Sequence, residues 1–282
     1  MEFTKVGTMQ LSLIVLGVVI FLVVPLIVAI VWVKKKNEKV SSVITGAAAF
    51  LLFALVLEKP IQNILVFPEA MGLSAHAASR FLNARPVLWA LVLGLFPGVF
   101  EETGRLVAFK SVLKNRKNRE TSISYGIGHG GFEAMLVLGG NFITYLVFAA
   151  MINAGTFGGL VAQIAQKNPA QEEAGYQVAA MIAAFSVKEL LAAVIGRIFA
   201  ILYHTGASIL VFYACKDPKK LWLYPLAILL HTAIDGVMGL QMAGVLSLSS
   251  EMTEMIALLP AGLIFFAAYF LLYRKDGEKG QA

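Results

Sequence analysis

Apolar residues fill seven stretches of the chain, approximately 9–33, 41–64, 87–112, 122–152, 182–215, 221–243 and 255–273. At 1.5 Å per helical residue each is long enough to cross a hydrocarbon core about 30 Å thick, so the pattern predicts seven membrane-spanning helices. Two longer polar connections separate them. Pro68 to Pro86 includes His76 and reads as an interfacial helix, while Asn153 to Gln177 is rich in Gln, Glu and Asn. Heptads, low-complexity tracts and clear repeats are absent from the sequence, which therefore reads as one all-α, polytopic membrane domain over residues 1–282.

Composition agrees with this class. The chain is 59% hydrophobic and only 14% charged, too apolar for a soluble domain of 282 residues. The formal net charge of +6 invites a nucleic-acid reading, but the positions of the charges exclude it. Fifteen of the 23 Lys and Arg residues fall in Lys34–Lys39, Lys110–Arg119, Lys216–Lys220 and Arg274–Lys279, all on one side of the predicted spans. Five (Lys5, Lys59, Arg80, Arg85, Lys167) fall on the other side, and Arg105, Lys188 and Arg197 within spans. The positive-inside rule then predicts a multi-pass protein of the cell membrane with its N-terminus outside and its C-terminus in the cytoplasm. The first apolar stretch is too long for a signal-peptide core and ends in Lys34-Lys35-Lys36, so it reads as a retained helix. The single cysteine, Cys215, excludes an intramolecular disulfide and a cysteine-based metal site.

Against this apolar background a few ionisable residues stand out. Glu101 and Glu102 lie inside the third stretch with Arg105 one turn later; His129 with Glu133 lies in the fourth, Arg197 and His204 in the fifth, and His231 with Asp235 in the sixth. A charge at bilayer depth costs about 2.5–3.5 kcal/mol even on the lenient insertion scale, so each requires a partner or a function. Counted from the basic flanks, Glu101 precedes Lys110 by nine residues, His129 follows Arg119 by ten, His204 precedes Lys216 by twelve and His231 follows Lys220 by eleven. All four then sit about 14–18 Å from the basic side, near the middle of the bilayer. His129 and Glu133 share a helix face, as do His231 and Asp235, each pair being i,i+4. Arg105 can pair with either glutamate as a structural clamp, Glu133 can orient His129, and Arg197 precedes His204 by two turns on the same face. Glycines 126, 128, 130, 131, 139 and 140 allow a neighbour to approach the His129 helix closely.

Three motifs occur in order: Glu101-Glu102-Thr-Gly-Arg105, Tyr125-Gly-Ile-Gly-His129 and His231-Thr-Ala-Ile-Asp235. Over about 88–240 they resemble the CAAX-processing and bacteriocin-processing family of intramembrane proteases, more closely its YhfC-type relatives, with the PrsW group also near. The resemblance implies a four-helix catalytic core. In it Glu101 or Glu102 activates a water with help from His129, and His231 and Asp235 stabilise the developing oxyanion. Asp235 stands where the prenyl-protein branch carries Asn, and His204 is additional to the motif set.

The residues themselves are compatible with peptide hydrolysis, which needs an activated water and a preorganised group for developing negative charge. Serine-nucleophile motifs and His-Glu-x-x-His are absent from the sequence, leaving two mechanisms. The sequence reading favours a glutamate-activated water with no cofactor. A zinc site built by His129, His204 and His231 is the alternative. The expected partners are membrane lipid and a hydrophobic or membrane-anchored peptide. An ion-coupled transporter and a catalytically silent binding or immunity protein are the rival classes.

Overall fold

The computed structural model describes residues 3–248 and 250–279. Among them the regular structure is helical throughout, and seven helices are long and apolar enough to cross a membrane. They are α1 Thr8–Lys36, α2 Val40–Val66, α3 Pro86–Val112, α4 Glu120–Asn153, α5 Val187–Lys216, α6 Pro218–Met242 and α7 Met255–Gly277.

Most boundaries fall within a few residues of those the hydropathy pattern predicts. The clearest difference is the start of α5, expected near 182 and found at Val187. There Ser186 and Glu189 form a reciprocal cap: the Ser186 N–H and hydroxyl both donate to the Glu189 carboxylate, and Lys188 N–H donates to Ser186 Oγ. The connections hold short helices. Ala77–Asn83 is capped by His76, whose Nδ1 accepts from Ser79 N–H at 3.2 Å, so His76 serves a turn. Phe157–Lys167 and Ala170–Ala183 fill the second long connection.

Contacts divide the chain into two compact units, each assembled from separate segments. One comprises Met1–Ile27 and Glu133–Arg197. Its core is aliphatic and aromatic, including Ile14, Phe21, Phe142, Ile182 and Phe185. Asn153 fixes the start of the chain by accepting from Val6 N–H at 2.8 Å and donating to Val6 C=O at 3.0 Å.

The other unit, Val28–Phe132 with Ile198–Ala282, holds every polar residue of the site described below. Here helices meet backbone to backbone. A Cβ at Gly98 of α3 would lie 2.8 Å from the Ile228 carbonyl of α6, and one at Gly128 of α4 would overlap the Val43 carbonyl of α2. Glycine is what permits these approaches, as the sequence led us to expect for α4. Pro97 interrupts α3 and removes the N–H that would bond the Leu93 carbonyl. In lipid an orphan carbonyl must find an internal partner, and the Gln62 amide of α2 donates to Leu93 C=O at 3.3 Å.

That compensation can be measured. Gln62→Leu should lower stability in detergent by about 1–3 kcal/mol, the cost of one unsatisfied buried carbonyl. Adding Pro97→Ala, which restores a backbone donor, should recover part of the loss. Strictly additive effects in thermal unfolding of the four proteins would show that the two positions are not coupled.

Candidate active site

α3 carries the adjacent glutamates, and successive residues of an α-helix point about 100° apart. Glu101 and Glu102 therefore meet different partners. Glu101 Oε2 lies 2.9 Å from His129 Nε2 on α4 and 3.8 Å from His204 Nδ1 on α5. All three residues are buried, and one ligand-capable atom from each falls within 4.8 Å of the others.

Glu102 is fully buried and faces the other way. Its Oε1 accepts from the Arg105 guanidinium and, at 2.8 Å, from His231 Nδ1 on α6. Its Oε2 is buried with no hydrogen-bond partner among the described residues. Arg105, also fully buried, distributes its donors between Glu102, His204 Nδ1 at 2.6 Å and Ser208 Oγ at 3.3 Å. Ser208 in turn donates to the His204 carbonyl at 2.6 Å. An arginine only donates, so the Nδ1 of His204 supplies the lone pair in this bond. The second nitrogen of His231 faces Asp235 across 3.6 Å, and Asp235 is the more exposed member of that pair. The His204 ring lies between the other two imidazoles, its centroid 4.8 Å from that of His129 and 5.6 Å from that of His231.

Seven of the residues singled out from sequence thus gather in one centre: Glu101, Glu102, Arg105, His129, His204, His231 and Asp235. The remaining two, Glu133 and Arg197, belong to the first unit and form an ion pair with each other at 2.6 Å. The ligand-capable trio also differs from the three-histidine set expected from sequence. Glu101 takes the place of His231, whose Nδ1 is bonded to Glu102.

Sequence reasoning passed over two kinds of residue. Glu58, at the end of a π-helical segment of α2, is completely buried and close enough to interact electrostatically with Glu101 and His231. The Lys59 ammonium sits 3.3 Å from it and also donates to Gln62 Oε1 at 3.2 Å. The available signal was a carboxylate inside an apolar run, masked by the Lys59-Pro60 that follows it. Tyr203 was passed over altogether, and Tyr125 entered only as the first residue of the Tyr125–His129 motif, with no role of its own. Tyr125 stacks on His129, and Tyr203 packs edge-on against both His204 and His231. An apolar cavity of about 620 Å³ lies elsewhere in this unit, against Leu226, Leu230, Leu263 and Ile264.

The Glu102–Arg105 pair should behave as a buried ion pair. Arg105→Met alone leaves an uncompensated carboxylate and should cost about 3–5 kcal/mol, whereas Arg105→Met with Glu102→Leu should recover much of that loss. Equal destabilisation in the single and double variants, read by thermal unfolding in detergent, would contradict the pairing.

The membrane protein YhfC of Bacillus subtilis (strain 168), described as uncharacterised, is 29% identical over 241 residues, covering 84% of this chain and 87% of the relative. No solved structure matches the chain. The profile of the family described as YhfC intramembrane metalloprotease matches residues 18–257, which span α2 to α6 and with them the whole polar centre. The chain belongs to the YhfC intramembrane metalloprotease family.

Proposed function

We propose that the protein is a metal-dependent intramembrane endopeptidase that hydrolyses a peptide bond of a hydrophobic or membrane-anchored substrate. The observation that carries this reading is the buried Glu101–His129–His204 trio, with its ligand-capable atoms within 4.8 Å of one another. One carboxylate and two imidazoles form a donor set suited to catalytic zinc, which keeps a further position for water or substrate. A divalent metal held there would polarise a carbonyl and lower the pKa of water toward about 7. Arg105 donates to His204 Nδ1, so the ring would present Nε2, or an Nδ1 from which the guanidinium has withdrawn. The sequence-based preference for a cofactor-free glutamate gives way here to the metal-dependent alternative, with Glu101 rather than His231 among the ligands.

The other residues then take separate roles. Glu102 is the general base: Arg105 and His231 anchor Oε1, while Oε2 is left to accept the proton. As the water oxygen bonds to the scissile carbonyl carbon, its proton passes to Glu102 and the carbonyl electron pair moves to oxygen. When the oxyanion's electron pair re-forms the C=O and the C–N bond breaks, the amine takes that proton from Glu102. The products are a carboxylic acid and an amine, and the acid proton then passes to the amine to leave a carboxylate and an ammonium. The wider kinship with CAAX-processing and PrsW proteases, carried by the three motifs, is part of this proposal. So is the topology with the N-terminus outside and the basic loops in the cytoplasm of a cell whose plasma membrane holds the protein.

Metal analysis of purified protein should find one zinc or similar divalent ion per chain. Phenanthroline should abolish cleavage of a single-span test peptide, and readded zinc should restore it. Glu101→Gln, His129→Ala and His204→Ala should each lose the metal, whereas Glu102→Gln should retain it and lose about 10²–10⁴ in kcat. Full activity in metal-free protein would return the mechanism to a glutamate acting alone. A metal-loaded chain that cleaves nothing would favour a binding role.

Topology has its own test. Single cysteines placed in Lys114–Arg119 should label only from the cytoplasm, and those in the 153–177 connection only from outside. The reverse pattern would invert the assignment.

A further inference from the structure

The centre contains carboxylates enough for metal and base, but few free donors for the negative charge that forms on the scissile carbonyl oxygen. His231 has each ring nitrogen facing a carboxylate, Glu102 at 2.8 Å and Asp235 at 3.6 Å. Arg105 is engaged by Glu102, His204 and Ser208. An ionised Asp235 accepts and cannot donate.

Tyr203 differs from all of these. It precedes His204 on α5 and is 3% exposed. Its ring packs edge-on against His204 at 5.3 Å and His231 at 5.0 Å, between centroids. The hydroxyl is buried with no hydrogen-bond partner among the described residues, and the side chain interacts electrostatically with Glu101, Glu102, Arg105 and Asp235. A buried hydroxyl left unpaired destabilises the folded state, and a tyrosine in such a position ordinarily bonds something. Phenylalanine would fill the same space without that cost. The other buried phenol without a hydrogen-bond partner among the described residues, Tyr125, stacks on one site histidine, His129, and packs at 4.9 Å on Phe109. Tyr203 alone of the two is flanked by two of the site's histidines.

We infer that Tyr203 is a catalytic residue whose phenol O–H donates a hydrogen bond to the oxyanion of the tetrahedral intermediate. The inference rests on the protease reading above and deepens it. Its partner exists only during the reaction: the scissile carbonyl oxygen gains charge as water adds to carbon, and the phenol proton strengthens its bond to that oxygen without leaving Tyr203. A donor that bonds most strongly in the transition state raises kcat and leaves ground-state binding nearly unchanged.

The test is Tyr203→Phe, measured beside the wild type in the same detergent. The variant should fold, melt at or above the wild-type temperature and keep the same metal content. On a quenched-fluorescence single-span peptide that the wild type cleaves, kcat should fall about 100-fold, with KM within about twofold. A phosphinic analogue of that peptide, which presents a tetrahedral oxyanion, should bind the variant at least tenfold more weakly, while the product peptide binds equally. Cleavage at the wild-type rate, or unchanged affinity for the phosphinic analogue, would overturn the inference and leave the protease reading intact. A drop in melting temperature would also overturn it, since the hydroxyl would then be a structural hydrogen-bonding group. A wild-type protein that cleaves no peptide would overturn both.

Discussion

A carboxylate and a guanidinium placed deep in an apolar bundle cannot be satisfied by solvent, and the Glu102–Arg105 pair is the constraint around which the second unit is organised. Both residues are fully buried. Hydrocarbon offers no hydrogen bonds, so every donor on Arg105 needs a partner from another helix or from a neighbouring turn. Those partners are Glu102, His204 and Ser208, while Glu102 also holds His231. One ion pair thereby fixes α5 and α6 in register with α3. The chemistry inherits its geometry from this network, because two of the three site imidazoles are held by bonds to its members.

Bringing the helices that close demands backbone concessions, and the sequence makes them locally. Gly98 and Gly128 are sites where any side chain would strike a neighbouring carbonyl. Pro97 loosens α3 one turn before the glutamates, and Gln62 repairs the carbonyl it orphans. The π-helical segment of α2 ends at Glu58, so an irregular stretch of backbone delivers a third buried acid toward the same centre. π-helical distortions occur often at functional sites, where an ordinary helix would aim a side chain elsewhere.

Much of this was legible before any coordinates. Hydropathy located the spans because length and apolarity are properties of contiguous sequence, and counting from the basic flanks placed Glu101, His129, His204 and His231 at one depth. Depth is a one-dimensional quantity, however, and rotation about each helix axis is not. Sequence alone could therefore not say that Glu101 turns to His129 while Glu102 turns to Arg105, nor that Glu101 joins His129 and His204 in place of His231. Glu133 shares a face with His129 by spacing, and the ion pair it makes with Arg197, 64 residues away in the chain, could not be read from that spacing. The start of α5 was readable in Ser186-Val-Lys-Glu189, a capping signal that continuous apolarity obscured. Glu58 was hidden by the opposite error, since a Glu-Lys-Pro sequence looks like the end of a span.

The adjacency of the two glutamates has a physical meaning that the proposed mechanism makes specific. A metal ligand and a general base make opposing demands on a carboxylate. The ligand gives its electron pair to the metal, whereas the base must keep one for a proton. A single glutamate cannot satisfy both, and two glutamates one turn apart would face the same side of the helix and repel each other. Neighbouring positions separate the side chains by about 100° while keeping their backbones within 4 Å, so both reach one centre from different directions. Arg105, at i+3 from Glu102 and i+4 from Glu101, compensates one of the two charges directly. His129 and His204 flank the other. A divalent metal on that second side would leave each carboxylate facing its own cation, and that balance is the physical reason for reading Glu101 as the ligand and Glu102 as the base.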